Sequence, residues 1–459
     1  MWVEIVFSFE NKVLEKLFKG KIRTKRRVTK VKKLRKTNGI TLIALIITIL
    51  VLLIIAGVVI GTINGGIFGN ANKSAEKYNN EVRKEDELLG ALENKLKDYT
   101  GENPSTPDQP TKEPTNVEYF SWTTTETEAT ITGFSDAGKE KYNAGEITEL
   151  VIPGEYNGLK VTTINGGAFK GCTGIKELYI YKELQSVKIA QNGLNYYGAF
   201  NGCTNIEKVE FEEGITKIPD NMLYKAGLKE NVNIIIPSSV TEIGESAFYN
   251  CTGIKNIDTL FKSVTKIGNS AFSGCTGITN INIGEKVKEI GEWAFASCTR
   301  ASNVKIPRSV TIINGATFYN CTGIKELYIY KELQNVKIAQ NGLNYCGAFN
   351  GCTNIEKVEF EEGITKIPDN MLYKAGLKEN VNIIIPSSVT EIGKSAFYNC
   401  TTLSEITIPK SIIKIVDYAF YQCSSLKKIN YTGNEQNWRS VQIGNNNAPL
   451  TSATINYNQ

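Results

Sequence analysis

Apolar and polar residues alternate within a unit that recurs through most of the chain. A typical run is Ile281-Asn282-Ile283, in which every second residue is apolar, and this period indicates a strand with one buried face. Glycine and asparagine residues between these runs supply turns. Nine of these units also carry a phenylalanine that is followed three residues later by a cysteine. The marker phenylalanines are Phe169, Phe200, Phe248, Phe272, Phe295, Phe318, Phe349, Phe397 and Phe420.

The spacing of these markers predicts a solenoid. Leu223 and Leu372 stand at the marker position in two further units, and neighbouring markers are then 23–25 residues apart, with two intervals of 31. A unit this short cannot bury its own apolar face, so stacked units must share one continuous core. We therefore predict a β-rich solenoid of about eleven coils, each with short strands plus a turn or short helix.

A larger duplication lies on top of the short repeat. The segment Cys172–Thr252 recurs as Cys321–Thr401, shifted by 149 residues. The two copies differ at three positions, which are Ser186 against Asn335, Tyr197 against Cys346, and Glu245 against Lys394. Because each coil of a solenoid contacts only its neighbours, such a fold can grow by whole blocks of coils.

The repeat resembles a known family. The run Ile236-Pro237-Ser238-Ser239-Val240-Thr241-Glu242-Ile243-Gly244, followed by Ala247-Phe248, is similar to the BspA-like leucine-rich repeats of bacterial and protozoan surface proteins. The resemblance covers about residues 128–459, with a start like the family's N-terminal region at 131–153 and an end like its C-terminal cap at 431–457. It implies a leucine-rich-repeat fold, extracellular display, and binding to proteins or other surfaces.

The first hundred residues predict a membrane anchor. Residues 1–38 contain 13 Lys and Arg against three Glu, whereas 40–63 contain no charge. A helix over 40–63 is about 36 Å long, which is enough to cross a bilayer core of about 30 Å. The preceding positive charge favours a cytoplasmic N-terminus and an extracellular C-terminal region at a bacterial cell surface. The basic run therefore does not call for a nucleic-acid partner.

Changes in composition divide the chain into five parts. We predict a basic cytoplasmic leader at 1–39, a long N-terminal transmembrane α-helix at 40–63 and a helical stalk at 64–99. A proline-rich linker follows at 100–117, and the leucine-rich-repeat solenoid with its caps occupies 118–459.

The start of the apolar segment resembles a type IV prepilin. In Gly39-Ile40-Thr41-Leu42-Ile43, the resemblance implies that a prepilin peptidase cleaves after Gly39 and that Ile40 becomes the methylated N-terminus. Ala44 departs from the family, which usually has Glu there to match the new amino terminus of a neighbouring pilin-like subunit. A plain single-pass anchor is the alternative interpretation.

The inventory of reactive side chains points away from an enzyme. The chain has no histidine, which excludes Ser-His-Asp and Cys-His catalysis. Its repeat cysteines are too far apart in sequence for zinc or thioredoxin motifs, so we expect no metal and no cofactor. Nine of the ten cysteines share one position in the coil and are interpreted as buried thiols, with disulfides between coils as the alternative. Cys346 is expected in a loop.

Alternation along two strands in each copy predicts a candidate binding surface. It turns tyrosine and glutamate side chains outward, and exposed tyrosine is frequent at interfaces. Plain sheet surface and a solvated acidic stripe are the alternatives, and paired-carboxylate glycoside chemistry is a remote one. The eight-residue expansions near 191–197 and 340–346 are expected to make longer loops on one edge, and insertions on one face often mark a binding face. The candidate residues are Tyr179, Tyr181, Glu210 and Glu212 in the first copy, and Tyr328, Tyr330, Glu359 and Glu361 in the second.

These features predict a surface-tethered adhesion protein. Its solenoid would recognise an extracellular protein or polysaccharide, and residues 40–63 would hold it in the membrane. The alternative is a minor pilin-like subunit of a type IV pilus or secretion-type filament that displays a repeat domain.

Overall fold

The computed structural model describes residues 112–190, 197–338, 347–379 and 381–458. The predicted leader, transmembrane helix, stalk, cleavage site at Gly39 and Ile40, and loop residue Cys346 all lie outside these ranges. Within the described ranges, no helix is both long enough and apolar enough to span a membrane.

The described residues form a repeating sequence of short strands and turns, a β-solenoid of about twelve turns. One side of each turn contributes a strand to what we call the A series, three parallel sheets of four strands each. These strands are β3 (Glu149–Ile152), β6 (Glu177–Ile180), β8 (Lys208–Phe211) and β10 (Asn233–Ile235); β13 (Asn280–Asn282), β15 (Asn303–Lys305), β17 (Glu326–Ile329) and β19 (Lys357–Phe360); and β21 (Asn382–Ile384), β23 (Glu405–Ile408), β25 (Lys428–Tyr431) and β27 (Thr454–Tyr457).

A second side carries two-residue strands, which we call the B series. They pair in parallel in one sheet of six and one of four. Their bounds are β9 (Lys217–Ile218), β11 (Glu242–Ile243), β12 (Lys266–Ile267), β14 (Glu289–Ile290), β16 (Ile312–Ile313), β18 (Lys337–Ile338), β20 (Lys366–Ile367), β22 (Glu391–Ile392), β24 (Lys414–Ile415) and β26 (Gln442–Ile443).

The ends of the solenoid are closed by different elements. At the N-terminal end, a mixed sheet contains β1 (Phe120–Thr124), β2 (Glu128–Phe134), β4 (Glu155–Tyr156), β5 (Leu159–Asn165) and β7 (Lys188–Ala190). The α-helices are α1 (Asp136–Asn143), α2 (Glu435–Arg439) and α3 (Ala448–Thr451), and the 3-10 helices are η1 (Val117–Tyr119), η2 (Lys182–Ser186) and η3 (Lys331–Asn335). Phe120 of β1 and Phe134 of β2 contact Phe169 of the first coil, and Trp438 of α2 contacts Tyr431 near the C-terminal end, where β27 is the last strand.

The core is a column of the marker phenylalanines. All nine are fully buried, and successive rings stack nearly in parallel, with centroids 5.1 Å apart for Phe248 and Phe272 and 5.4 Å for Phe272 and Phe295. Leu223 and Leu372 are buried at the same position. The column therefore confirms a solenoid of leucine-rich-repeat type. The predicted number of about eleven coils is slightly low, because the first and last strands of the A series lie beyond the outermost phenylalanine markers.

The cysteines are free thiols inside the stack. Eight of the nine described cysteines are buried, and Cys172 in the first coil is half-buried. Each buried thiol donates a hydrogen bond to the main-chain carbonyl at the marker position of the preceding coil, as from Cys275 Sγ to Phe248 O at 3.1 Å. Burial raises the pKa of the Cys275 thiol to about 12. The interpretation of these residues as buried structural thiols is confirmed.

Candidate binding face

The duplicated block presents the same strand pair twice, in the same register. Tyr179 lies opposite Glu210 where β6 pairs with β8, and Tyr328 lies opposite Glu359 where β17 pairs with β19. Side chains that are opposite each other on one face of paired strands lie close enough to interact. We call the first of these surfaces the leading face (Glu177, Tyr179, Tyr181, Glu210 and Glu212) and the second the trailing face (Glu326, Tyr328, Tyr330, Glu359 and Glu361).

The two faces differ in exposure. Tyr179 is only 3% exposed and Glu210 7%, whereas Tyr328 is 42% exposed and Glu359 is an exposed residue. The prediction that Tyr179 and Glu210 face solvent is therefore wrong. Alternation does turn them away from the core, as it does in the second copy, but another part of the chain lies over them.

The cover of the leading face is the segment Lys112–Asn116, which lies within the part predicted as a linker. Its Thr115 amide donates to Val151 O at 3.1 Å, and the Val151 amide donates to Thr115 Oγ1 at 2.9 Å. These bonds are available because β3 is the edge strand of its sheet. The Tyr181 hydroxyl donates to the Lys112 carbonyl, which holds the segment across the sheet.

Lys112 occupies a pocket of acidic and aromatic side chains. Its ammonium pairs with Glu149, lies 3.7 Å from Glu177 Oε2, and is 5.7 Å from the centroid of the Tyr179 ring. Burial works to lower the pKa of Lys112, but Glu149, Glu177 and Glu210 outweigh it and the pKa is raised. The leading face therefore binds a lysine side chain from the same polypeptide.

The tyrosine beneath that lysine has lost most of its contact with water. Burial, together with the negative charges of Glu212 and Glu210, raises the pKa of Tyr179 to about 12. Its ring meets that of Tyr181 edge to face, with centroids 5.3 Å apart. Glu212 accepts a hydrogen bond at 2.9 Å from the amide of Lys182, the first residue of η2.

On the trailing face, Arg308 contacts Tyr330 and Glu361. Arg308 forms two hydrogen bonds with the Glu361 carboxylate, at 2.6 and 3.0 Å, and also pairs with Glu332. Its guanidinium lies 4.4 Å from the centroid of the Tyr330 ring. Burial works to raise the pKa of Glu361, but Arg308 and the Lys331 amide outweigh it and the pKa is lowered. Tyr330 and Glu361 are thereby fixed, while Tyr328 and Glu359 remain accessible.

Sequence reasoning missed Lys112 and Arg308. Arg308 does leave a signal, because it follows Ile306-Pro307 at the position where an earlier coil has Ser238 and a later coil has Ser387. Lys112 leaves none, since it precedes the first repeat. In the parts of the chain that the structure describes, no cluster of three or more acidic or cysteine side chains is arranged to hold a metal ion.

Comparison with known proteins identifies the repeat. A family model described as BspA type leucine-rich repeat region matches residues 138–231, 190–260, 226–347 and 345–448. Together these matches cover well over half of the chain. A search of curated proteins finds no match.

Several solved structures are similar to the chain. A leucine-rich repeat protein from Bacteroides ovatus is 26% identical, with coverage of 75% of this chain and 79% of that chain and a TM-score of 0.42. A leucine-rich cell surface protein from Faecalibacterium prausnitzii is 20% identical, with coverage of 72% and 98% and a TM-score of 0.30. The pneumococcal vaccine antigen PcpA is 15% identical, with coverage of 69% and 78% and a TM-score of 0.29. On the strength of the family match over residues 138–448, the chain belongs to the BspA-type leucine-rich repeat family.

Proposed function

We propose that this chain is a cell-surface-tethered binding protein whose solenoid recognises an extracellular protein or polysaccharide. The observation that carries the proposal is the trailing face, where Tyr328 and Glu359 are exposed on a rigid sheet. An exposed tyrosine offers apolar area and a hydroxyl at little cost in side-chain entropy. Membership of the BspA-type family supports a role in repeat-mediated binding.

The tether is proposed from the sequence. Residues 40–63 would cross the membrane behind a basic leader that stays in the cytoplasm, and the solenoid would stand outside the cell. Protease treatment of intact cells tests this arrangement. We expect the solenoid to be digested while an epitope tag on the leader is protected, and protection of both parts would contradict the proposal.

Binding is tested with cells that display the full chain. Adhesion to immobilised extracellular proteins and polysaccharides is compared for the wild type, the double variant Tyr328→Ala with Glu359→Gln, and Thr407→Ala. Thr407 is a partly exposed residue on β23 of the same series, away from the trailing face, and serves as the matched control. We expect adhesion to fall at least tenfold in the double variant alone. Equal adhesion of all three would place binding elsewhere or exclude it.

A pilin-like role is the second candidate. The resemblance of Gly39-Ile40-Thr41-Leu42-Ile43 to a prepilin junction favours it, and Ala44 argues against filament assembly. N-terminal sequencing of the chain from washed cells and from sheared supernatant separates the two roles. A chain that begins at Ile40 and is enriched in the sheared fraction supports a filament subunit. A chain that keeps its leader and stays in membranes supports a simple tether.

A further inference from the structure

The leading face shows which ligand chemistry this strand pair accepts. A lysine ammonium lies among two carboxylates and over a tyrosine ring, and the carbonyl of the same residue accepts a hydrogen bond from Tyr181. A cation over an aromatic face and beside carboxylates is bound by complementary charge. The leading face thus binds a lysine side chain, and the ligand is Lys112 of the same chain.

The trailing face repeats most of this arrangement without the lysine. Glu326, Tyr328, Tyr330 and Glu359 stand 149 residues after their counterparts and pair across the strands in the same register. Tyr328 is 42% exposed, against 3% for the residue that Lys112 covers. The side chain of Glu359 is half exposed and, among the residues that the structure describes, forms its one ion pair with Lys357 on the same strand, at 2.7 Å. An acidic and aromatic surface is therefore accessible to solvent.

Two differences define what can bind there. The counterpart of Glu149 is Asn303, so of the two carboxylates that pair with the Lys112 ammonium only the counterpart of Glu177, which is Glu326, is present on the trailing face. Moreover, β15 lies between β13 and β17, whereas β3 is an edge strand, so a visiting peptide cannot bond to the main chain of β15 as Thr115 bonds to Val151 on β3. The ligand must be recognised through a side chain that reaches down onto Tyr328.

Among the described residues, the two cations Lys305 and Arg308 near Tyr328 are engaged elsewhere. Lys305, which replaces Val151, directs its ammonium to Glu285 at 3.1 Å in the preceding coil. Arg308 is held by Glu361 and Glu332 and lies over Tyr330 instead. The carboxylates of Glu326 and Glu359 then flank Tyr328 on one face, because alternate residues of a strand share a face.

We propose that the trailing face binds a lysine side chain presented by an extended, exposed segment of a partner protein, as the leading face binds Lys112. This inference rests on the proposed binding function and narrows its ligand to a protein. The partner's lysine would lie over the Tyr328 ring, between Glu326 and Glu359, and Lys357 would compete with it for Glu359.

The probe for the test is the hexapeptide Thr-Lys-Glu-Pro-Thr-Asn, which copies residues 111–116. Saturation-transfer NMR with the purified full chain detects its lysine methylene signals even when affinity is millimolar. We expect the peptide to bind, and a version with the uncharged norleucine in place of lysine to bind at least tenfold more weakly. A peptide that does not bind, or that binds equally well with norleucine, overturns the inference.

Variants locate the binding on the trailing face. Tyr328→Ala and Glu359→Gln are each expected to weaken peptide binding about tenfold, which is the scale of one cation–π contact or one charge pair. Lys357→Ala is expected to strengthen it, because Glu359 loses its competing partner, and a general structural disturbance would not do so. Thr407→Ala is the neutral control. Equal binding by all variants overturns the inference.

The stoichiometry provides an independent readout. Replacement of residues 112–115 by Gly-Ser-Gly-Ser removes the Lys112 ammonium and the Thr115 hydroxyl that hold the cover on the leading face, so we expect the peptide to bind at two sites per chain instead of one, and an unchanged value of one contradicts the internal template. If adhesion still depends on Tyr328 and Glu359 but the peptide does not bind, the lysine inference fails and the proposed function stands. If adhesion shows no such dependence and the peptide does not bind, both fail. The chain could also bind a second copy of itself through this face. Self-association that is lost in Tyr328→Ala would show this, and it would overturn the inference of a foreign partner.

Discussion

At the scale of single residues, the cysteine in each coil performs two tasks. Its sulfur is small and apolar enough for the interior, and its S–H satisfies a carbonyl of the coil before it. Because the acceptor belongs to the neighbouring coil, each such bond links two units. At this position a serine would place a more strongly hydrated group inside the stack. An alanine would remove the thiol donor and leave the carbonyl with only the amide of its own coil, as Phe248 O keeps the amide of Cys251 at 3.1 Å.

The buried thiols predict a loss of stability at alkaline pH. The pKa of Cys275 is raised from 9.0 to about 12 in the folded chain. Above pH 9 the unfolded thiol ionises while the folded one does not, so the free energy of unfolding falls with rising pH, by up to about 1.4 kcal/mol per pH unit for each such thiol. Urea unfolding between pH 8 and about pH 10.5 measures this slope. Cys275→Ala is expected to reduce this slope by the equivalent of about one proton. An unchanged slope would contradict the raised pKa of Cys275.

The duplication also provides a matched pair of tyrosines. Tyr179→Ala removes a buried ring beneath Lys112 and is expected to cost about 2–4 kcal/mol of folding free energy. Tyr328→Ala removes an exposed ring and should change stability by less than about 0.5 kcal/mol. Thermal and urea unfolding of the two variants provide the comparison. Equal losses would mean that Lys112–Asn116 does not cover the leading face.

Alternation predicted the direction of each of these side chains but not its environment. Leu178 and Ile180 point inward and Tyr179 points away from the core, as the period of two requires. Exposure of Tyr179, however, depends on Lys112, which lies 67 residues earlier and outside any repeat. No local pattern describes such a contact, because nothing in the strand itself distinguishes a covered copy from an open one.

At the scale of elements, the turns around each marker phenylalanine use left-handed backbone conformations. In one coil, Ser246 and Asn250 have φ values of 53° and 57° on either side of Phe248. Glycine and asparagine tolerate this region best, and they fill the second of these positions in most coils. The cysteine follows the phenylalanine by only three residues because the turn between them has to close before the thiol can reach the preceding coil.

Gln422 is an exception that predicts a stabilising substitution. It has a φ of 59° at the position that Asn250 and Asn399 occupy in other coils, and its side chain is exposed. Gln422→Asn should raise the free energy of unfolding by about 0.5–1 kcal/mol, because asparagine tolerates this conformation better. Gln442→Asn, at an exposed position in β26, is the control and should bring no gain. A gain in both variants, or in neither, would contradict the argument; urea midpoints decide it.

The repeat period predicted the number of coils closely but not completely. Phenylalanine and leucine markers identify the coils in which an aromatic column continues on both sides. The terminal coils need other residues, such as Phe120 and Phe134 at the start and Trp438 at the end, because they must also close the column against solvent. Caps therefore depart from the repeat for a physical reason, and a search for the repeat alone underestimates the coils.

At the scale of the whole molecule, the 149-residue shift preserves the register of the strand pair that carries the two faces. The pairing of β6 with β8 and of β17 with β19 joins equivalent residues in both blocks. Since each coil contacts mainly its neighbours, an entire block is a removable unit. The solenoid can therefore lose one block and become shorter while the chain still folds.

Excision of one block tests this directly. Deletion of residues 203–351 joins Gly202 to Cys352, so that Cys352 follows Phe200 in register and can donate to the Phe169 carbonyl. We expect a folded chain with cooperative thermal unfolding and a far-UV circular dichroism spectrum of unchanged shape. Deletion of residues 203–341 breaks the register and should abolish cooperative unfolding. A cooperative transition in both deletions would show that register is not required.

The cover over the leading face has a consequence for how the two blocks evolve. Tyr179 holds Lys112 in place, so a change there is penalised through folding whatever the chain binds. Tyr328 contributes little to folding, so selection acts on it only through its ligand. Duplication has thus produced one copy under structural constraint and one that is free to diversify. Among strains, variation that tracks a changing host or neighbour should accumulate on the second copy first.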